Sequence, residues 1–304
     1  MKIIGIGETI VDIIFKNNQP ISAKSGGSTF NTLISLGRLN VPCFFISEIG
    51  NDRLGENVKQ CLTENNISTD YIYQFSAGKS PVALAFLDEK NNADYIFHKD
   101  YPKQRLNITF PTVNLNDILI FGSYFSVNPA LRNRVLELLH NAKNNDAIIY
   151  YDPNYRKAHL SELSNLKASI EENFVFADII RGSDEDFLNI YEESDIDAVY
   201  ANISRFCTNF ICTKAEKGVF LYTKNFTKTY STPTIKTIST VGAGDSFNAG
   251  ILYGLQKLNI SKQELPDLSE EKWDKLIEYA ILFATDVCQS YENYISKKLV
   301  NDLK

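Results

Sequence analysis

The chain has 304 residues, long enough for one large α/β domain or two smaller ones, with the 44% hydrophobic and 22% charged content of an ordinary globular protein. Its formal charge of −6, with no strong basic run, argues against a nucleic-acid binder; an acidic protein that handles an anionic nucleotide must gather positive potential locally, at helix ends, metal ions and a few Lys or Arg. No apolar run approaches membrane-spanning length, Met1 to Glu8 is too soon interrupted for a signal peptide, and the five scattered cysteines lack C-x-x-C spacing, so the expectation is a cytoplasmic protein with free thiols and no membrane partner.

Ile3 to Ile6 is a short apolar run bounded by Gly7, which suits a buried first strand of a parallel sheet. Glu8 and Asp12 fall where such a strand ends, the region where ligands of open α/β sheets gather. Asp12 is then either a solvated loop acid or an acceptor for the vicinal hydroxyls of a polyol. In Ser25-Gly26-Gly27-Ser28-Thr29-Phe30-Asn31, followed by Leu33, Leu36 and Leu39 at helical spacing, a loop passes through an N-cap at Ser28 or Thr29 into a helix. Gly26 and Gly27 permit close backbone approach, and Asn31 offers both a donor and an acceptor to a hydroxyl-bearing ligand. A strand over Cys43 to Ile49 and a helix from about Leu54 to Leu62 follow.

Between about Tyr71 and Leu106 the pattern becomes alternating. Val82, Leu84 and Phe86 face one way, and Tyr95 and Phe97 return after the turn-like Glu89-Lys90-Asn91-Asn92, which predicts a β-hairpin. With a short strand at Ile13 to Phe15 it forms either a small sheet standing off the body as a lid, spanning about 12–25 and 71–106, or an extra edge of the main sheet. The α/β rhythm resumes with strands at Ile118 to Phe121, Ala147 to Tyr151, Ile179 to Arg181, Phe210 to Thr213 and Val219 to Tyr222. Helices are predicted from about Pro129 to Asn141, Glu185 to Tyr191, Ala198 to Cys207 and Trp273 to Cys288. Without repeats or long linkers, residues 1–304 read as a single α/β core with an inserted lid.

Polar clusters sit at the ends of these strands. Arg156, in Asp152-Pro153-Asn154-Tyr155-Arg156, suits a phosphate or a substrate hydroxyl or carboxylate. Ser183-Asp184-Glu185-Asp186 holds the carboxylates for an indirect magnesium site, or is a plain Ser183 N-cap. Thr213-Lys214-Ala215-Glu216-Lys217-Gly218 connects two strands as a nucleotide-lining segment or a charged turn.

The most informative stretch is Ser239-Thr240-Val241-Gly242-Ala243-Gly244-Asp245-Ser246-Phe247, a glycine turn opening a helix. Orphan N–H groups at a helix N-terminus favour negative charge, and small residues at Gly242, Ala243 and Gly244 let a phosphate oxygen approach them. Asp245 in the first turn either serves only as a dipole-stabilised acid or takes a proton from an alcohol attacking a bound phosphoryl group. The G-x-x-x-x-G-K-[ST] loop and the protein-kinase set are absent from the sequence, and its three histidines lie far apart, so P-loop and zinc chemistry have no support.

Gly26-Gly27-Ser28-Thr29-Phe30-Asn31 and Thr240-Val241-Gly242-Ala243-Gly244-Asp245-Ser246-Phe247 resemble the two signatures of the ribokinase-like (PfkB) carbohydrate kinases, and the intervening segments occur in that family's order. The resemblance implies a three-layer α/β fold, a mostly parallel central sheet flanked by helices with a small β lid, and transfer of the ATP γ-phosphate to a sugar hydroxyl with Mg2+. By the same resemblance Asp245 is the general base and Gly242, Ala243 and Gly244 the anion hole. Asp12, Gly27 and Asn31 match positions that hold sugar hydroxyls, and Thr213, Lys214 and Gly218 belong to the nucleotide side. Asp186 matches the magnesium motif, through water rather than as a direct ligand. The Asp-Pro-Asn-x-Arg string is similar to fructokinases and 2-keto-3-deoxygluconate kinases, which points to a ketose or keto-sugar acid, fructose first. Related kinases pair lids across a homodimer.

Three positions depart from that pattern. Ser239 replaces an acid that helps hold a monovalent cation, which leaves potassium dependence open; Ser183-x-x-Asp186 replaces Asn-x-x-Glu; and Ala215 replaces the first glycine of the nucleotide loop. A ribokinase or nucleoside kinase of the same superfamily, and a sugar-binding regulator without catalysis, are the alternatives.

Overall fold

Alternation inside the apolar strands sets the architecture. In a pleated strand successive side chains point to opposite faces, so Ile118-Leu119-Ile120-Phe121 supplies two cores at once. Ile118 and Ile120 join one cluster, with Phe45, Phe247, Leu252 and Trp273, while Leu119 and Phe121 join another with Leu138, Phe174 and Phe187. A strand buried on both faces belongs in the middle of a three-layer sandwich.

The computed structural model describes residues 1–87, 89 and 93–303. The chain runs β1 (Ile3–Ile6), β2 (Ile10–Lys16), β3 (Gln19–Gly26), α1 (Ser28–Arg38), β4 (Cys43–Gly50), α2 (Arg53–Glu64), β5 (Ile72–Phe75), β6 (Lys79–Leu87) and β7 (Ala93–Asp100). It continues through β8 (Ile118–Gly122), α3 (Ser123–Val127), α4 (Arg132–Asn144), β9 (Ile148–Asp152), α5 (Leu163–Phe176), β10 (Ile179–Ser183), α6 (Asp184–Tyr191) and α7 (Ile196–Ile203). The last elements are β11 (Phe210–Thr213), β12 (Val219–Tyr222), β13 (Thr227–Tyr230), α8 (Ala243–Lys257), α9 (Glu270–Cys288) and α10 (Lys297–Asp302). Helices α3, α5 and α10 and strands β3 and β13 had no clear sequence signal.

Among the described residues the main sheet has the order β13-β12-β11-β10-β9-β8-β1-β4-β5. It is parallel from β5 to β11 and antiparallel at β12 and β13. The winding reverses between β1 and β8, and a crevice opens at the carboxyl ends where an open α/β sheet reverses.

A second sheet, β3-β2-β6-β7, stands off this body. Strand β2 pairs parallel with β6, and Phe15 stacks on Phe86 with centroids 4.8 Å apart. Strand β5 lies elsewhere than expected: Ile72–Phe75 pairs with β4 and completes the main sheet, so the small sheet draws on 10–26 and 79–100 rather than on everything from 71. The two buried ends of Ile72-Tyr73-Gln74-Phe75 satisfy an edge position against the core. In β6 the buried face is Ala83 and Ala85, not the larger Val82, Leu84 and Phe86, because small residues let the sheet lie close to the body. Of the predicted hairpin turn, Lys90, Asn91 and Asn92 lie outside the described residues.

Candidate active site

Helices α1 and α8 pack together with their N-termini at one end of the sheet. Neither has a side-chain cap. Ser28, expected as a possible cap, is the first helical residue, and Gly27 takes the cap position at φ 132°, where a Cβ would stand 2.2 Å from the Glu8 carbonyl oxygen. Gly242 caps α8 at φ 81°, with the Asn293 carbonyl oxygen 2.3 Å from where a Cβ would be. Both turns demand a residue without a side chain.

One turn into α1, two side chains cross to α8. Asn31 Nδ2 donates to Asp245 Oδ2 at 2.8 Å, and Thr32 Oγ1 donates to the Asp245 carbonyl at 2.9 Å. Burial pushes the Asp245 carboxyl up to about 6 against the opposing Asn31 hydrogen bond; the charge of Asp152 adds to the rise and that of Arg156 opposes it. Asn31 is itself 4% exposed, and its Oδ1 has no partner among the described residues. Ser246 Oγ and Arg181 Nε, on either side of Gly244 and Asp245, are likewise buried without partners. Unspent buried polar atoms are costly, and these three belong to residues at or against the turn that carries Gly244 and Asp245.

Within the glycine turn the donors are not equivalent. The Ala243 amide already donates to the Thr240 carbonyl at 3.2 Å, so the amides without an acceptor among the described residues are those of Gly242, Gly244 and Asp245. Ser239 Oγ accepts the Val241 amide at 3.2 Å and brings no charge.

On the lid side, burial pushes the Asp12 carboxyl up to about 6, and it accepts no hydrogen bond from a described residue. A Cβ on Gly26 would stand 3.0 Å from Asp12 Oδ2, so this glycine leaves the acid its space. The lid is tied to the body at several points, Ser80 of β6 bonding Asp52 and the Gly50 amide among them. Tyr101 donates to Glu8 Oε1 at 2.6 Å beside the Lys99–Glu8 ion pair, and Lys24 Nζ donates to the Tyr291 carbonyl at 2.7 Å. Opposite, Tyr124 stacks on His159 at 4.0 Å and donates to Glu162 Oε2 at 2.9 Å. Arg156 is exposed with no partner among the described residues, and its charge reaches Asp245.

The donor-side residues are more spread. Thr213 Oγ1 accepts Arg181 Nη2 at 2.8 Å, whereas Lys214 Nζ donates to the Ser194 carbonyl at 3.4 Å, by the α6–α7 connection. Gly218, at φ 102°, packs under the Tyr230 carbonyl. Beside it a cleft of about 510 Å³ is lined by Tyr230, Ser231, Pro233, Ile281, Leu282 and Thr285. Asp186 closes a capping box with Ser183: the Ser183 amide and hydroxyl both donate to its Oδ2 at 2.7 Å. Its other oxygen accepts no hydrogen bond from a described residue. Among the described residues no group of three or more His, Cys, Asp or Glu forms a direct metal cage. That set still fits a divalent ion of the magnesium kind, which keeps its waters and leans on substrate phosphates with one or two carboxylates.

Sequence reasoning missed the floor of the site. Asp152 Oδ2 accepts Arg181 Nη1 at 3.1 Å and Asn248 Nδ2 at 2.6 Å, and Tyr150 donates to Asn248 Oδ1 at 2.9 Å. The available signal was Arg181 itself, a charge in an otherwise apolar strand, since such residues are almost never buried unpaired.

A profile of the pfkB family carbohydrate kinases matches residues 2–298. A fructokinase from Rhizobium leguminosarum bv. trifolii is 30% identical over 275 residues, 87% of this chain and 83% of that protein. The fructokinase of Solanum tuberosum is 25% identical over 262 residues, 82% and 79% of the two chains. Among solved structures, fructokinase from Vibrio cholerae O395 with fructose, ADP and calcium superimposes with a TM-score of 0.86 at 20% identity, covering 99% of this chain and 98% of that one. Aminoimidazole riboside kinase from Salmonella enterica, with aminoimidazole riboside and an ATP analog, gives 0.85 at 19% identity and 99% coverage of both chains.

Proposed function

The chain belongs to the pfkB family of carbohydrate kinases and is a sugar phosphotransferase, and from that premise we propose that it transfers the γ-phosphate of ATP to a hydroxyl of fructose. The observation that carries the site reading is Asn31, which donates to the Asp245 carboxylate while its own buried Oδ1 has no partner among the described residues. One side chain thereby aims the base and offers an acceptor to a sugar hydroxyl.

In this reading Asp12 and Asn31 hold sugar hydroxyls and Gly27 gives the sugar room against the backbone. Asp245 accepts the proton of the attacking hydroxyl as its oxygen bonds to the γ-phosphorus and the bond to ADP breaks. The free amides of Gly242, Gly244 and Asp245, at the positive end of α8, hold the transferring phosphoryl group. Thr213 and Gly218 border the nucleotide, whose base fits the apolar cleft by Tyr230 and Ile281, and Lys214 lies at its outer edge. Family membership implies a divalent metal; we assign magnesium, which substrate phosphates and, through water, the Asp186 carboxylate would hold and which would offset phosphate charge. The lid, already tied at Glu8 and Tyr291, excludes water from the site.

The test is coupled ADP release with magnesium and ATP across fructose, 2-keto-3-deoxygluconate, ribose, tagatose and adenosine. Fructose is expected to give the highest kcat/KM. A preference for the keto-sugar acid would assign the exposed Arg156 to its carboxylate and replace fructose as the substrate; a preference for ribose or adenosine would overturn the ketose reading altogether. Since Ser239 carries no charge and its hydroxyl is engaged, potassium is expected to change the rate less than about twofold, a margin that a lost phosphate-side charge would exceed.

A further inference from the structure

Arg181 has no part in the chemistry above, yet it lies directly beneath it. Its side chain is 7% exposed, its Nη1 donates to Asp152 and its Nη2 to Thr213, and the guanidinium carbon stands 5.3 Å from the centre of the Phe247 ring. A Cβ on Gly244 would come within 2.9 Å of Nη1 and 3.2 Å of Nη2, so the cation lies against the backbone of the glycine turn. Its Nε is buried without an acceptor among the described residues.

A purely structural role does not account for the charge. Burying an ion pair costs desolvation that its attraction barely repays, and an apolar side chain of similar volume fills such a space as well. The surroundings do account for it. Asp152 and Asp186 both bear on Arg181 electrostatically, Asp152 also bears on Asp245, and ATP brings further negative charge to the same point. Arg181 is the buried cation among these carboxylates.

We infer that Arg181 is a positioning residue for phosphoryl transfer: it holds Asp152 and Thr213 at the ends of β9 and β11, and it fixes a positive charge behind Gly244 so that the turn accepts a phosphoryl group beside an ionised Asp245. Because the guanidinium is preorganised, this charge is in place before the reaction begins. The inference rests on reading Gly242 to Asp245 as anion turn and base, and its test keeps the two apart.

Arg181→Met, Arg181→Lys and Asp245→Asn are compared in the full-length protein with the sugar it accepts. Arg181→Met is expected to lose about 10²-fold in kcat with the sugar KM held within about threefold. Its acid limb of kcat/KM should move to higher pH by about half a unit or more, because the unneutralised carboxylates oppose ionisation of Asp245. Arg181→Lys, which keeps the charge but loses the two-pronged fork, should recover roughly tenfold of the loss. A kcat within about threefold of the parent in Arg181→Met, or equal losses in Met and Lys with an unmoved acid limb, overturns the inference. Should Arg181→Met fail to fold in a thermal melt, Arg181→Lys decides: a kcat about tenfold down at constant sugar KM supports the role, and parental kcat rejects it. If Asp245→Asn retains turnover, the base assignment has failed, whatever Arg181 does.

Discussion

At the scale of single residues, the proposed chemistry turns on two carboxyl groups held above their usual range. Burial is the first cause for both Asp245 and Asp12, each at about 6. A base works only when ionised, so kcat/KM is expected to fall as pH drops through about 6, with a slope set by these two acids. Asp245→Asn should lower kcat by about 10²- to 10⁴-fold and leave sugar binding, read by titration calorimetry, near normal. Asp12 bears a different cost. Its folded pKa is raised above the unfolded value, so the penalty for holding it ionised is full above about pH 6 and disappears as pH falls toward 3.8. Asp12→Asn should therefore stabilise the ligand-free protein by about 1 kcal/mol at pH 7, measured by urea unfolding, while weakening sugar binding. Ala215 shows a sequence departure with a physical consequence: it sits at φ 39°, where glycine is favoured. Ala215→Gly should raise stability by about 1 kcal/mol.

Among elements, the proposed function rests mainly on the two glycine turns and the lid. A side chain at Gly242 meets the Asn293 carbonyl and a strained φ together, so Gly242→Ala should destabilise by about 1–3 kcal/mol and reduce kcat more than sugar KM. The loop that supplies Asn293 also bonds Lys24 of the small sheet through Tyr291, so that sheet and the Gly242 turn share one support. Where the lid returns to the body, Arg105 pairs with Glu48, which is 1% exposed and also accepts the Leu106 amide. None of these links has a sequence signature, because each joins segments far apart in the chain. The lid hairpin itself was legible from alternation, but Ile72–Phe75 looked the same locally and belongs to the main sheet. Period two identifies a strand and not its partner.

For the molecule as a whole, the reversal of winding between β1 and β8 gathers the ends of β1, β8, β9, β10 and β11 at one edge of the sheet. The lid exposes Ile21, Ile96 and Phe97, at 57%, 48% and 47%, on strands β3 and β7, the edge positions of the small sheet. A homodimer through these strands is the proposed assembly, and light scattering at micromolar concentration should report twice the 34.4 kDa chain mass; a monomer would reject it. The sequence by itself determined the parallel α/β class, the hairpin, and the turn that puts Asp245 at a helix start, since these rest on short-range periodicity and glycine spacing. The cap position was not legible: Gly27, not Ser28, caps α1, because the Glu8 carbonyl leaves no room for a side chain there. Only the tertiary structure decided that Asn31 bonds the Asp245 carboxylate across 214 positions, that Ala243 spends its amide locally, and that Arg181 underlies Gly244. The physical reason is that pKa, charge balance and hydrogen-bond satisfaction are set by neighbours in space, and the neighbours of this site come from strands and helices spread over nearly the whole chain.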